Sequence, residues 1–185
     1  MFPIPSRGAP AAAGLLLAIF LAAWAAAPAS AAPPTRDPNA HFFQGFLGDL
    51  RAELESARKE GRKGVVLVYE MEECPFCERF HRSVASQASV QDYYRRHFVV
   101  LRMDIRGDAT IAGFDGKEVR ESEFAARSRV RATPTTVFHA LDGREVARFS
   151  GLPKDAAEFV ALGRFVAEGH YRAGSFAEYK RKAAR

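Results

Sequence analysis

Cysteine is the scarcest informative residue in this 185-residue chain, with only two copies. Two cysteines cannot staple a small scaffold or supply a four-cysteine zinc site. Tryptophan occurs once and methionine three times, and no segment repeats. Charge of one sign is also missing: 27 Lys and Arg face 22 Asp and Glu, a formal +5. Arg7 is the sole charged residue among the first 31, which leaves +4 for the remaining 154. A dedicated nucleic-acid binder concentrates basic residues into a stripe, so no nucleic-acid partner is expected. Long apolar runs are absent after the first 31 residues.

Those first residues read as a leader. Arg7 precedes an apolar run from Ala11 to Ala27, which breaks at Pro28 and ends in Ala29-Ser30-Ala31. This is the order of a secretory signal peptide, with cleavage expected near Ala31. The alternative is an uncleaved N-terminal membrane anchor, for which 17 mostly Ala residues are at the lower limit. Either way an exported, periplasmic protein in an oxidising compartment is expected. The domain plan is a signal peptide over 1–31, a flexible lead-in over 32–40, one domain over 41–170 and a basic, solvated tail over 171–185.

Within the domain, Phe42, Phe43, Phe46, Leu47, Leu50 and Leu54 recur at helical spacing. They predict an amphipathic helix over 41–59, broken or bent near Gly45 and Gly48. Val65 to Glu70 is a β-branched run suited to a buried strand. A helix through about Ser86 follows the cysteines, and a second helical piece covers 90–96. Phe98 to Ile105 is the next strand, and 106–122 is a charged loop or small hairpin around Asp115-Gly116. Glu123 to Arg129 is a weak helical turn. Two strands, 135–140 and 145–149, flank Asp142-Gly143, a strong hairpin signal. A final helix covers 154–167. The order implies an α/β fold: two neighbouring β–α–β steps feeding a central mixed sheet, closed by an antiparallel hairpin and flanked by helices.

The two cysteines form Cys74-Pro75-Phe76-Cys77 between the first strand and its helix. At a helix N-terminus, free backbone N–H groups and the dipole stabilise a thiolate at Cys74. Cys77, one turn on, is placed to attack a mixed disulfide formed by Cys74. Pro75 suits the first helical turn, and Phe76 offers an apolar contact to a partner. A metal site would need further ligands, and His81 shares a helical face with Cys77. Two inert structural cysteines are the other alternative. Glu78 where His would stand excludes c-type haem attachment. The carboxylates of Glu70, Glu72, Glu73 and Glu78 disfavour a thiolate, whereas Arg79 and Arg82 favour it. From spacing alone, Thr133-Pro134 is a trans proline ending a loop.

The strand VVLVYE, the CPFC motif, the strand VVLRMDI and the segment RATPTTVFHALDGREVARFSG together resemble the thioredoxin superfamily over residues 41–170. Among its members the chain looks most like exported thioredoxin-related proteins of the SoxW type. The resemblance implies Cys74 as nucleophile and Cys77 as resolving cysteine. It makes Pro134 a cis-proline and Thr133 a backbone contact for the substrate chain. It implies thiol–disulfide oxidoreductase activity without a cofactor or metal, in a monomer. The implied partners are exported disulfide-containing proteins, such as those of sulfur oxidation or cytochrome maturation. A membrane thiol transporter of the DsbD or CcdA kind would donate electrons. The chain departs from cytoplasmic thioredoxins in carrying Glu73 before the first cysteine, Pro75-Phe76 between the two, and Val68 where a buried Asp is usual. The acidic flank favours reduction of partners. A disulfide-donating oxidase or isomerase, and a non-catalytic binding or chaperone module, are the competing readings.

Overall fold

Burial follows residue parity along the first strand, and that parity organises the fold. In the computed structural model, which describes residues 33–183, β1 (Gly64–Glu70) is buried at every position. Val66 and Val68 face one core; Val65, Leu67 and Tyr69 face another. Such a strand lies at the centre of a sheet covered on both faces. β1 pairs in parallel with β2 (Phe98–Asp104) and antiparallel with β5 (Thr135–Ala140). β5 pairs antiparallel with β6 (Glu145–Ser150), giving the order β2-β1-β5-β6. This is a thioredoxin-like α/β fold with a mixed four-stranded sheet.

Only the first of the two expected β–α–β steps is parallel. From β2 the chain passes through a separate hairpin, β3 (Thr110–Ala112) with β4 (Glu118–Arg120), and α5 (Glu121–Arg127). These return it to the end of the sheet that β2 leaves, so β5 runs back antiparallel. The segment 106–122 therefore contains the hairpin, and its Ile111 and Val119 are buried against α2 (Leu50–Lys59) and the second face.

The first face is covered by α3 (Pro75–Phe80), a π-turn over His81–Ala85, α4 (Ala88–His97) and α6 (Ala156–Ala167). Its centre is aromatic. Tyr94 stacks on Phe159 with ring centroids 4.5 Å apart, and its hydroxyl donates to the Phe159 carbonyl at 2.8 Å.

The helix expected over 41–59, broken or bent near Gly45 and Gly48, is broken, and only its second half is a regular helix. α1 (Pro38–His41) ends before an irregular stretch in which Gly48 takes φ 91°, and α2 starts afresh behind Asp49. The Asp49 side chain accepts from the N–H groups of Arg51 and Ala52, which an uninterrupted helix would not need. The expected flexible lead-in is ordered over 33–40. Arg36 N–H donates to the Ser86 carbonyl, and the Arg36 guanidinium pairs with Asp92 at 2.7 Å. The expected solvated tail contains α7 (Phe176–Ala183), whose Phe176 and Tyr179 pack on Phe165 with centroids 5.6 Å away. The tail is basic and aromatic, and its aromatics anchor it to the domain. The leader over 1–31 lies outside the described residues. Among the described residues, no helix is long and apolar enough to cross a membrane.

Candidate functional site

The cysteine pair sits where β1 gives way to α3. Cys74 is the N-cap of α3, and Pro75 occupies the first turn, where no N–H is required. Glu73, just before it, takes a left-handed φ of 53°, uncommon for a residue with a side chain. That turn carries the chain from strand to helix and presents Cys74 at the helix start. Cys74 and Cys77 are joined in a disulfide with Cα atoms 5.2 Å apart, and both are buried. The Cys77 N–H donates to Cys74 Sγ at 3.1 Å. A thiolate at Cys74 would accept this same N–H at the positive end of the helix.

Thr133 and Pro134 reach the site from the start of β5. The Thr133–Pro134 peptide is cis. Thr133 Oγ1 lies 3.3 Å from Cys74 Sγ and its carbonyl oxygen 3.8 Å. In the disulfide the sulfur has no proton, so the hydroxyl is the donor. Antiparallel pairing of β5 with β1 is what brings this loop to the strand end that carries the cysteines. Phe76 is 61% exposed, so its ring stands at the surface beside the buried disulfide. Of the residues singled out from sequence, Cys74, Cys77 and Thr133 meet at one sulfur. Pro75 and Phe76 lie in the intervening helical turn, and Pro134 follows Thr133.

One feature escaped sequence reasoning. Glu70 ends β1 on the same face as Val66 and Val68, with its side chain only 8% exposed. Its two oxygens are both engaged: Oε1 by His81 Nε2 at 2.6 Å and Oε2 by Arg102 Nε at 3.0 Å. Glu70 is therefore compensated, and it does not act on the cysteines as a free carboxylate in the way that its place in the acidic flank suggests. Glu78 is paired with Arg82 at 3.4 Å, though both are exposed. The signal was present in two spacings: Glu70 is two residues beyond Val68 on a strand, and His81 is four beyond Cys77 on a helix. No cluster of three potential ligands capable of holding a metal occurs among the described residues. A cavity of about 280 Å³ opens beside the disulfide. Cys74, Cys77, Glu70, His81 and Arg102 line it, together with further carboxylates.

Comparison with known proteins gives a consistent picture. Residues 50–167 match the thioredoxin-like domain family. A candidate disulphide-isomerase of Bacteroides thetaiotaomicron is 27% identical, with a TM-score of 0.53 over 68% of this chain and 92% of that one. A thioredoxin-fold protein of Helicobacter pylori is 23% identical, with a TM-score of 0.53 over 66% of this chain and 87% of that one. The C-terminal domain of Neisseria meningitidis DsbD, in its oxidised form, is 18% identical, with a TM-score of 0.50 over 68% and 98%. The last two likenesses bear on the fold alone. No curated protein sequence matches the chain.

Proposed function

The chain belongs to the thioredoxin-like domain family, and on that premise we propose that it is a thiol–disulfide oxidoreductase that reduces disulfides in exported proteins. The observation that carries this reading is the environment of Cys74 Sγ. The sulfur lies at a helix N-terminus, within 3.1 Å of the Cys77 N–H and 3.3 Å of the Thr133 hydroxyl. Both groups stabilise a thiolate, and the thiolate is the attacking species. Its partner sulfur is already within bonding reach, which is what resolution of a mixed disulfide requires.

The reaction runs in two exchanges. Cys74 attacks a partner disulfide and forms a mixed disulfide; Cys77 then attacks Cys74 and releases the reduced partner. The exposed Phe76 and the backbone around Pro134 form the adjoining surface for the partner chain. In this reading the leader is an export signal and the protein acts in the periplasm, released or N-terminally anchored. There a reductant requires continual electron supply, for which a membrane thiol transporter is the fitting donor. Sulfur-oxidation or cytochrome-maturation proteins, in keeping with the SoxW-type resemblance, are the fitting clients.

The direction is tested by the reduction potential of the Cys74–Cys77 couple. A value near that of thioredoxin, about −270 mV, supports the reducing role, whereas one near about −120 mV overturns it in favour of disulfide donation. The roles of the cysteines are tested in the host. Cys77→Ser traps partners on Cys74, and Cys74→Ser abolishes both trapping and turnover. Full cellular function in Cys74→Ser overturns the enzymatic reading in favour of a binding module.

A further inference from the structure

We infer that His81, oriented by Glu70, is the base that takes the Cys77 thiol proton when the mixed disulfide is resolved. The inference rests on the dithiol chemistry proposed above. Its geometric basis is the cavity of about 280 Å³ in whose wall Cys74, Cys77, Glu70, His81 and Arg102 all stand.

The charge arrangement is suited to proton transfer. Arg102 carries a permanent positive charge, and its Nε lies 3.0 Å from Glu70 Oε2. It is fixed in turn by Asn39 Oδ1, 2.7 Å from a terminal nitrogen, and by the Phe43 ring, 4.4 Å below the guanidinium carbon. Glu70 and Arg102 thus neutralise each other without help from the imidazole. A neutral His81 therefore leaves no buried charge unpaired. When its Nε2–H donates to Glu70 Oε1 at 2.6 Å, the Nδ1 lone pair is left to accept. Glu70 is the positioning residue: it fixes the tautomer and the ring.

The helix places the ring near its target. His81 follows Cys77 by four residues, one helical turn, so the two share a face. It also opens the π-turn, in which the Ser86 N–H bonds to the His81 carbonyl at 2.9 Å, five residues back. A π-turn re-aims side chains relative to a regular helix. His81 borders two cavities: Glu70, Glu72, Glu73, Glu78, Arg102 and Asp104 are the charged groups that share the first with it, and Arg36, Asp37 and Arg82 the second. Phe43 covers it with ring centroids 5.6 Å apart.

After Cys74 has attacked the partner disulfide, its sulfur is bonded to the partner and Cys77 is a thiol. His81 Nδ1, directly or through one water, takes the Cys77 proton. The Cys77 thiolate attacks Cys74 Sγ, the bond from Cys74 to the partner sulfur breaks, and the Cys74–Cys77 bond forms. The departing partner thiolate takes up a proton. The dithiol has lost two electrons, and the partner disulfide has become two thiols.

The test mixes the reduced protein rapidly with the aromatic disulfide 5,5′-dithiobis(2-nitrobenzoate). Attack by Cys74 releases one thionitrobenzoate in a first phase, and resolution by Cys77 releases the second. His81→Ala is expected to leave the first phase within about twofold. It slows the second by at least about tenfold, within what a general base contributes. Added imidazole restores the second phase, a response that a merely structural residue does not give. His81→Gln, whose amide can still donate to Glu70, is expected to show the same slow phase, first order in hydroxide. An unchanged second phase in both variants, or a slow one that imidazole does not restore, overturns the inference. Absence of the first phase in the wild type overturns the dithiol reading itself, and this inference with it.

Discussion

Thr133 controls the attacking sulfur through a single hydroxyl. Its Oγ1 stands 3.3 Å from Cys74 Sγ, and valine would keep the shape while removing the donor. The loss of one such hydrogen bond is worth about 1 kcal/mol. Thr133→Val is therefore expected to raise the midpoint of Cys74 alkylation by somewhat less than about one pH unit, measured as rate against pH. An unmoved midpoint would show that the helix N-terminus alone holds the thiolate. A second residue has its consequence in stability. His139, in β5, is buried, its Nδ1 is 3.0 Å from the Gly143 carbonyl, and its ring lies on Phe114 at 4.4 Å. Burial pushes its pKa down, and its Nε2 has no partner. The unfolded chain, with an ordinary histidine pKa of about 6.5, binds the proton more readily than the folded one. Stability is thus full above about pH 6.5 and falls as pH drops from there toward the lower folded pKa. His139→Gln should flatten this acid-side loss in urea titrations. Part of the slope remains through His97, whose pKa burial also lowers.

At the scale of elements, β1 and β5 leave no room for a side chain at Gly64. A Cβ on Gly64 would stand 2.0 Å from the His139 carbonyl oxygen, and φ there is 156°. Gly64→Ala must therefore push apart the two strands that deliver Cys74 and Thr133. A cost of about 2–4 kcal/mol in chemical denaturation is expected, with slower attack by Cys74 as strand register loosens. Equal stability would mean that the strands tolerate the shift. Sequence patterning located these elements well because burial on two faces demands a continuous apolar run, as in Val65–Tyr69. It also gave the helices around the cysteines. It failed where a tertiary contact decides. Apolar spacing extended one helix over 41–59 and left open whether its glycines bend or break it; Gly48 and the Asp49 cap break it, so that the chain can bridge to Ala112. α7 was read as tail because its Lys and Arg outnumber its aromatics. Only Phe165 and Phe149 across the fold show what Phe176 is for. Within the site, the cysteines and Thr133-Pro134 were readable as motifs. The Glu70–His81–Arg102 network was legible only in fragments, the spacings of Glu70 from Val68 and of His81 from Cys77, because no local pattern records the pairing of its three elements.

At the scale of the described domain, the two ends of β1 border cavities of unlike charge. Lys63 precedes the strand and Glu70 ends it, about 20 Å apart at the usual rise per residue. The end away from the disulfide carries a groove lined by Arg58, Arg62, Lys63 and Arg172, with Asp142 and Glu168 beside them. The disulfide end carries Glu72, Glu73, Glu78 and Asp104 around its cavity, while the charge of Glu70 is offset by Arg102. A formal +5 for the chain therefore conceals a locally acidic approach to the reactive sulfur. Exposed charges act on an encounter over roughly a Debye length, about 30 Å at 0.01 M salt and about 3 Å at 1 M. A peptide disulfide flanked by Lys and Arg should thus be reduced faster than one flanked by Asp and Glu at low salt. Across that salt range the two rates should converge, and Glu72→Gln with Glu73→Gln should reduce the low-salt ratio without changing the rate at high salt. A ratio independent of salt would place the discrimination in short-range contacts, with Phe76 rather than the carboxylates selecting the partner.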